Sequence, residues 1–231
     1  MTLFPTVTIL MTSIGRMPYL KEALQSVHNQ TRQDFELVIV NKGKLPEEFH
    51  NSFTPDNFTV VYTGESEEMN KEVCMVSTVF NEAYKQGLIR GKYFCTFYDD
   101  DIYYPQFIEK MAGYLDTHPE ADAVRCSEAR TKIFPNQTVT PTSPLEAKDF
   151  ISGQNFDCVV DGMQVMIRTS VLAKVKEKYG DALLPEDINT CSHSDGIFLN
   201  RVGEVIDKMH FITDTLCEHR ATPLSTYTPT L

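Results

Sequence analysis

The chain has no run approaching the ~18 apolar residues that a membrane-crossing helix needs, although 42% of its 231 residues are hydrophobic. With 23% charged residues, that composition is ordinary for a soluble globular protein without a membrane span. Residues 1–11 carry no basic residue ahead of their apolar stretch and no small-residue cleavage site after it. They do not read as a signal peptide, so a cytoplasmic location is expected. No C-x-x-C pair occurs among Cys74, Cys95, Cys126, Cys158, Cys191 and Cys217. Dispersed cysteines, several inside apolar runs, point to buried thiols rather than zinc ligands or disulfides. In that setting the Asn-x-Thr sequons at Asn29, Asn57 and Asn136 carry no glycan. Positive charge is also scarce: 21 Lys and Arg face 32 Asp and Glu, a formal net charge of −11. Such a surface counts against a large nucleic-acid footprint, but it leaves room for a small anionic ligand held by a metal. Internal repeats and linkers are missing as well, and the length suits one α/β domain.

What is present is an alternation of apolar strands with helical patterns. The run Thr6 to Met11 predicts a buried strand ended by Gly15, and Pro18 to Asn29 predicts a helix with its proline in the first turn. Further strands are expected at Phe35 to Val40, Phe58 to Tyr62 and Tyr93 to Phe97, with a helix from Glu72 to Gln86. Near-continuous apolar strands separated by helices require a parallel sheet covered on both faces, so the fold class expected is doubly wound α/β. After Pro105 the pattern predicts a helix to Thr117, a strand at Ala123 to Ser127 and a polar loop from Pro135 to Pro144. A strand at Gly162 to Arg168, helices at Ser170 to Tyr179 and Asp195 to Val205, and an irregular tail from Thr222 complete the chain.

The strand at Tyr93 runs straight into Asp99-Asp100-Asp101. Open α/β sheets bind ligands outside the carboxyl ends of their strands, which is where these carboxylates fall. Three adjacent carboxylates raise one another's pKa unless a cation or solvent neutralises them. Hard oxygen ligands suit Mg²⁺ or Mn²⁺ bridged to substrate phosphates. The plain alternative is a solvated acidic turn, or a cap for a helix after Ile102.

The segments Thr8 to Ser13, Gln30-Thr31 with Asp34-Phe35-Glu36-Leu37, Asp99 to Pro105, Asp116 to Glu120 and Ser170 to Tyr179 stand in an order that resembles family 2 glycosyltransferases of the GT-A fold. Within that family the chain is most similar to the bacterial spore-coat polysaccharide type of nucleotide-sugar transferase. The resemblance implies a single GT-A domain over 1–231, Rossmann-like, with a nucleotide-sugar-binding half at 1–105 and an acceptor-binding half at 106–221. It implies an inverting transfer of a sugar from a nucleotide diphosphate sugar, UDP- or dTDP-linked, to a glycan or other hydroxyl acceptor. Thr12, Ser13 and Ile14 would lie against base and ribose, Asp99 would face the ribose, and Asp100 or Asp101 would hold Mn²⁺ or Mg²⁺. Asp195 resembles the family's base, with Asp187 and Glu186 in reserve, although an Asp before an apolar helical pattern is also a common N-cap. In the closing loop, His219 would complete the metal site and Arg220 would meet the diphosphate; His193 is a weaker ligand.

The sequence departs from the family at Asn41-Lys42-Gly43-Lys44, where an Asp-Asp-Gly-Ser-like stretch is usual. Asn41 can still hydrogen-bond a base edge, whereas Lys42 cannot accept as a carboxylate does. The family's Arg-Asn pair is also missing after Glu72, with Asn81 or Lys71 as substitutes. Two rivals remain from the sequence: a non-catalytic nucleotide-sugar-binding relative, and a nucleotidyltransferase. The second should carry a Gly-rich or basic triphosphate loop, for which Gly15-Arg16 is too little.

Overall fold

A computed structural model describes residues 5–13, 15–42, 58–63, 74–132, 149–156 and 159–223. The opening unit is β1 (Val7–Ser13), α1 (Met17–His28) and β2 (Phe35–Lys42), followed by β3 (Phe58–Thr63), α2 (Met75–Lys85) and β4 (Tyr93–Tyr98). Strands β3, β2, β1 and β4 lie side by side in that order and run parallel. Strand β1 is buried along nearly its whole length because helices cover both faces of the sheet. Pro18 stands in the first turn of α1, where its missing N–H costs nothing.

The second half extends the same sheet. Elements β5 (Ile102–Tyr103), α3 (Phe107–Thr117), β6 (Ala123–Lys132), β7 (Phe150–Ile151), β8 (Val165–Arg168), α4 (Ser170–Tyr179), α5 (Ser194–Gly203) and β9 (Lys208–Ala221) follow. Strand β8 is antiparallel to β4 and β6, while β6 and β9 run parallel; the short strands β5 and β7 pair antiparallel with β9. The long ladders are the parallel ones, so the sheet is mixed but mostly parallel. One apolar cluster joins a sheet face to α1 and α3 through Leu20, Leu24, Phe107 and Met111. The other joins the opposite face to α2, α4 and α5 through Phe80, Leu172 and Phe198.

Three expectations need correction. The strand expected from Gly162 begins only at Val165, because Gly162–Gln164 forms a 3₁₀ turn capped reciprocally by Asp161 and Gln164. The acidic triplet leads into the two-residue strand β5, not into a helix cap. Strand β9 lay in a segment for which no strand was expected, and His219 and Arg220, expected in a closing loop, stand near its end; its exposed polar residues Thr213, Asp214 and Thr215 break the apolar pattern. Cys74, Cys95, Cys126 and Cys217 are buried thiols as expected, and Cys191 is half-buried. Ile14, Lys71, Cys158, the 135–144 stretch and the tail from residue 224 lie outside the described residues.

Candidate active site

Strand order reverses at β1, which has β2 on one side and β4 on the other. The crevice at the carboxyl ends of β1 and β4 is therefore the switch point where such sheets take ligands. Ser13 closes β1, and its hydroxyl donates to Asp99 Oδ2 at 2.8 Å while accepting from the Gly15 N–H at 3.1 Å. Asn41 stands beside Ser13 in the β1–β2 register.

All three carboxylates of the triplet are buried. The cation that answers two of them is an arginine. Arg16, between β1 and α1, donates from Nε to Asp99 Oδ1 at 2.8 Å and forms ion pairs with both Asp99 and Asp100. The sequence offered the signal, a basic residue just after the first strand, but its two-residue Gly-Arg form pointed only away from a triphosphate loop. Asp101 faces the other way. Its Oδ1 accepts the Arg220 N–H at 2.9 Å and lies 3.5 Å from His219 Nδ1. The β5–β9 ladder delivers these partners from far along the chain. Arg220 itself donates to the Asp100 carbonyl and pairs with Glu22.

Asp101 Oδ2 is buried without a hydrogen-bond partner. Burial alone would lower the His219 pKa, but the hydrogen bond and charge of Asp101 override it and push it up to about 10. A buried orphan carboxylate oxygen beside an imidazole fits a divalent cation, which would take the place of the histidine proton. Among the described residues no group of three or more His, Cys, Asp or Glu is arranged to hold a metal. Mg²⁺ or Mn²⁺ bridged to phosphates needs only one or two protein carboxylates, so Asp101 with His219 suffices as the protein's share.

Asp195 stands in the first turn of α5 with His193, not itself, at the N-cap. Its Oδ1 accepts the Gly196 N–H at 2.8 Å. It lines one pocket with Thr12, Thr96, Tyr98, Ser194 and Phe198, so the base expected from the sequence and the end of β1 share a wall. Burial first, and then the charge of Asp161, raise its pKa above the ordinary carboxylate value. Gly162 makes this approach possible: a Cβ there would sit 2.9 Å from Thr96 Oγ1, 2.9 Å from the Tyr98 hydroxyl and 3.3 Å from Asp195 Cβ.

Behind Gly162 lies a group that the sequence did not reveal. Arg130 donates to Glu128 Oε1 at 2.5 Å and to Asp161 Oδ2 at 2.8 Å. Burial, and next the charge of Asp161, push the Glu128 carboxyl up to about 8. Glu128 lies just past the strand expected at Ala123 to Ser127, in a run of mixed polar and apolar residues that does not announce its burial.

The remaining candidates make structural contacts of their own. Asp187 caps the 3₁₀ helix Ile188–His193, accepting the Asn189 N–H at 2.9 Å. Glu186 Oε1 accepts from Asn81 Nδ2 at 2.9 Å, and the same amide bonds both the carbonyl and the N–H of Leu184. Asn81 thus ties α2 to the segment around Leu184 and Glu186. His193 is exposed at the N-cap of α5.

A parallel sheet with a switch-point crevice, a buried acidic triplet at its edge and an antiparallel extension define the chain as a GT-A-type fold. It belongs to glycosyl transferase family 2, whose model matches residues 8–175. That match holds the triplet and Asp161 but ends before Asp195, His219 and Arg220. Protein CgeD of Bacillus subtilis is 24% identical over 232 residues, 90% of this chain and 51% of that protein. A Haemophilus influenzae protein described as an uncharacterized glycosyltransferase is 25% identical over 126 residues, 52% of this chain and 36% of that protein. The chain spans about half or less of the length of these relatives. The crystal structure of S. aureus TarS in complex with UDP superposes with a TM-score of 0.68 at 17% identity, covering 94% of this chain and 61% of that one. Mannosyltransferase PcManGT from Pyrobaculum calidifontis, in complex with GDP-Man and Mn²⁺, superposes with a TM-score of 0.61 at 15% identity, covering 98% of this chain and 59% of that one. No helix among the described residues is long and apolar enough to cross a membrane.

Proposed function

We propose that the chain is an inverting glycosyltransferase that moves a sugar from a nucleotide diphosphate sugar to an acceptor hydroxyl. The observation that carries this reading is the shared pocket wall of Asp195 with Thr12 and Tyr98, at the edge where the acidic triplet ends β4. In a family 2 chain, a carboxylate of raised pKa on that wall supports the reading of Asp195 as the base. The acceptor oxygen attacks the sugar's anomeric carbon, its proton passes to Asp195, and the bond to the diphosphate oxygen breaks on the opposite face. Ser13 and Asp99 position the nucleoside end, with Thr12 and Asn41 beside them and Ile14 adjoining in sequence. Asp101 and His219 would hold Mn²⁺ or Mg²⁺, with Asp100 next to them. Such an ion stabilises the charge developing on a departing diphosphate. Arg16 and Arg220 supply fixed positive charge on the same edge.

The likeness to TarS and PcManGT supports a UDP- or GDP-linked donor as the first to test, with a glycan or other hydroxyl compound as acceptor. The spore-coat polysaccharide type, the cytoplasmic location and the division into 1–105 and 106–221 halves are further parts of the proposal; the first and the last rest on the sequence motifs. One observation favours the reading of a nucleotide-sugar binder without turnover: Asp99 and Asp100 are both paired with Arg16, which leaves Asp101 as the carboxylate facing a cation.

The test is a turnover screen of UDP-, dTDP- and GDP-sugars with Mn²⁺, Mg²⁺ or EDTA, on the wild type, Asp101→Asn and Asp195→Asn. Release of one nucleoside diphosphate, lost with EDTA and reduced at least ~100-fold in Asp195→Asn, is the expected result. Donor binding without release in any arm would assign the chain to the non-catalytic reading.

A further inference from the structure

Away from the acidic edge, two thiols meet. Cys74 is the N-cap residue of α2 and is fully buried, while Cys191 sits half-buried in the 3₁₀ helix Ile188–His193. Their sulfurs are 2.7 Å apart across a sequence separation of 117. Backbone and side-chain bonds fix this register independently of the sulfurs. The Cys74 N–H donates to the Glu186 carbonyl at 2.7 Å, and Asn81 clamps Leu184 and Glu186 from two turns further along α2.

The spacing separates the two chemistries open to paired cysteines. Thiolates sharing a tetrahedral metal at ~2.3 Å each stand roughly 3.7 Å apart. A disulfide places them at ~2.05 Å, so a shift of well under 1 Å completes the bond. The surroundings favour reaction at this pair. The hydrogen-bonded contact with Cys191 outweighs burial and, with the Ser77 hydroxyl donating at 3.3 Å, brings the Cys74 thiol down to about 6. A helix N-terminus stabilises a thiolate in the same sense. The second cysteine pair behaves oppositely: Cys126 and Cys217 are 3.8 Å apart, both fully buried, and burial drives the Cys217 thiol up.

We propose that Cys74 and Cys191 form a modification site, a dithiol that low-molecular-weight disulfides oxidise to an intrachain bridge. The bridge fastens the segment leading into Asp195 to the N-terminus of α2. The half-buried Cys191, passing its proton to the adjacent Cys74 sulfur, attacks one sulfur of the small disulfide, forming a mixed disulfide and releasing one small thiolate, which takes that proton up from Cys74. The Cys74 thiolate then attacks the Cys191 sulfur, the Cys74–Cys191 bond forms, and the second small thiolate leaves. Two electrons pass from the protein dithiol to the small disulfide, and the two protein protons end on the two small thiols. The bridge itself does not depend on the transferase reading; only its consequence at Asp195 does.

The experiment equilibrates the whole chain in glutathione buffers from reduced to oxidised, quenches, alkylates after unfolding and maps peptides by mass. The expected product is a Cys74–Cys191 cross-link 2 Da lighter than the dithiol, with Cys95, Cys126 and Cys217 alkylated. Cys74→Ser should stop at a single glutathione on Cys191, and Cys191→Ser should leave Cys74 alkylated. A wild type that keeps both thiols in the oxidised buffer, or carries glutathione on Cys191 as its end product, overturns the proposal. Amide hydrogen exchange over residues 187–196 should slow at least several-fold in the bridged form; unchanged exchange would overturn the fastening. Neither readout needs donor or acceptor, so a failed turnover screen leaves this result standing.

Discussion

Glu128 shows how one buried side chain sets a pH dependence. A carboxyl held at about 8 in the fold and near 4.5 when unfolded contributes stability that is fully present below about 4.5 and lost as pH rises toward 8. Glu128→Gln keeps an oxygen for Arg130 and removes the titration. Thermal midpoints taken between pH 5 and 8 should therefore fall for the wild type and run flatter for the variant, which gains by a few kcal/mol, about, at the alkaline end. Equal slopes would rule the carboxyl out as the source. Asp161 acts on Asp195 through its charge, and a raised base pKa places the acid limb of a pH–rate profile higher. Asp161→Asn should move that limb downward by about one unit or less, whereas a purely structural loss would lower the rate at every pH. Arg16→Ala removes the guanidinium paired with two buried carboxylates and should cost about 3–5 kcal/mol in denaturant unfolding, with part recovered by Mn²⁺. The acidic triplet was legible because three consecutive Asp at a strand end are rare and chemically costly. Arg16 as its counter-ion was not, since sequence spacing cannot say which cation reaches a carboxylate first.

At the scale of elements, hydrophobic period read the interior well and the edges poorly. Strands β1, β2 and β4 are apolar on both faces, and the structure has them where the pattern placed them, to within two residues. Strand β9 escaped notice because most of its pairing is with β6, a strand whose own charged residues Arg125 and Glu128 are buried by tertiary contacts. Arg125 lies between the rings of Phe150 and Phe211, at 4.6 and 4.3 Å from their centroids. No local pattern announces such burial. Two glycines mark where elements touch without side chains. A Cβ at Gly91 would lie 2.4 Å from the Thr8 backbone nitrogen, and neither backbone can yield cheaply. Gly91→Ala should therefore lower stability by about 1–3 kcal/mol or more. Gly162→Ala meets side-chain hydroxyls and Asp195 instead, so its larger effect should fall on kcat, measured beside the thermal midpoint of the same preparation.

For the whole molecule, a single sheet carries both halves, and its edge gathers residues from β1, β4, β9 and α5. A ligand bridging that edge should stabilise the entire domain, because it binds only the folded arrangement. At one hundred times its dissociation constant a nucleoside diphosphate with Mn²⁺ adds about 2.7 kcal/mol, which for a chain of this size raises the thermal midpoint by roughly 5–10 °C. EDTA should abolish the rise, and a shift that survives it would assign the binding to Arg16 and Arg220. The ladder between β5 and β9 has one more consequence. Asp101 receives its partners His219 and Arg220 from a strand more than a hundred residues downstream. During synthesis, Asp101 can gain these partners only after β9 has left the exit tunnel, so this edge of the sheet is among the last parts to be completed.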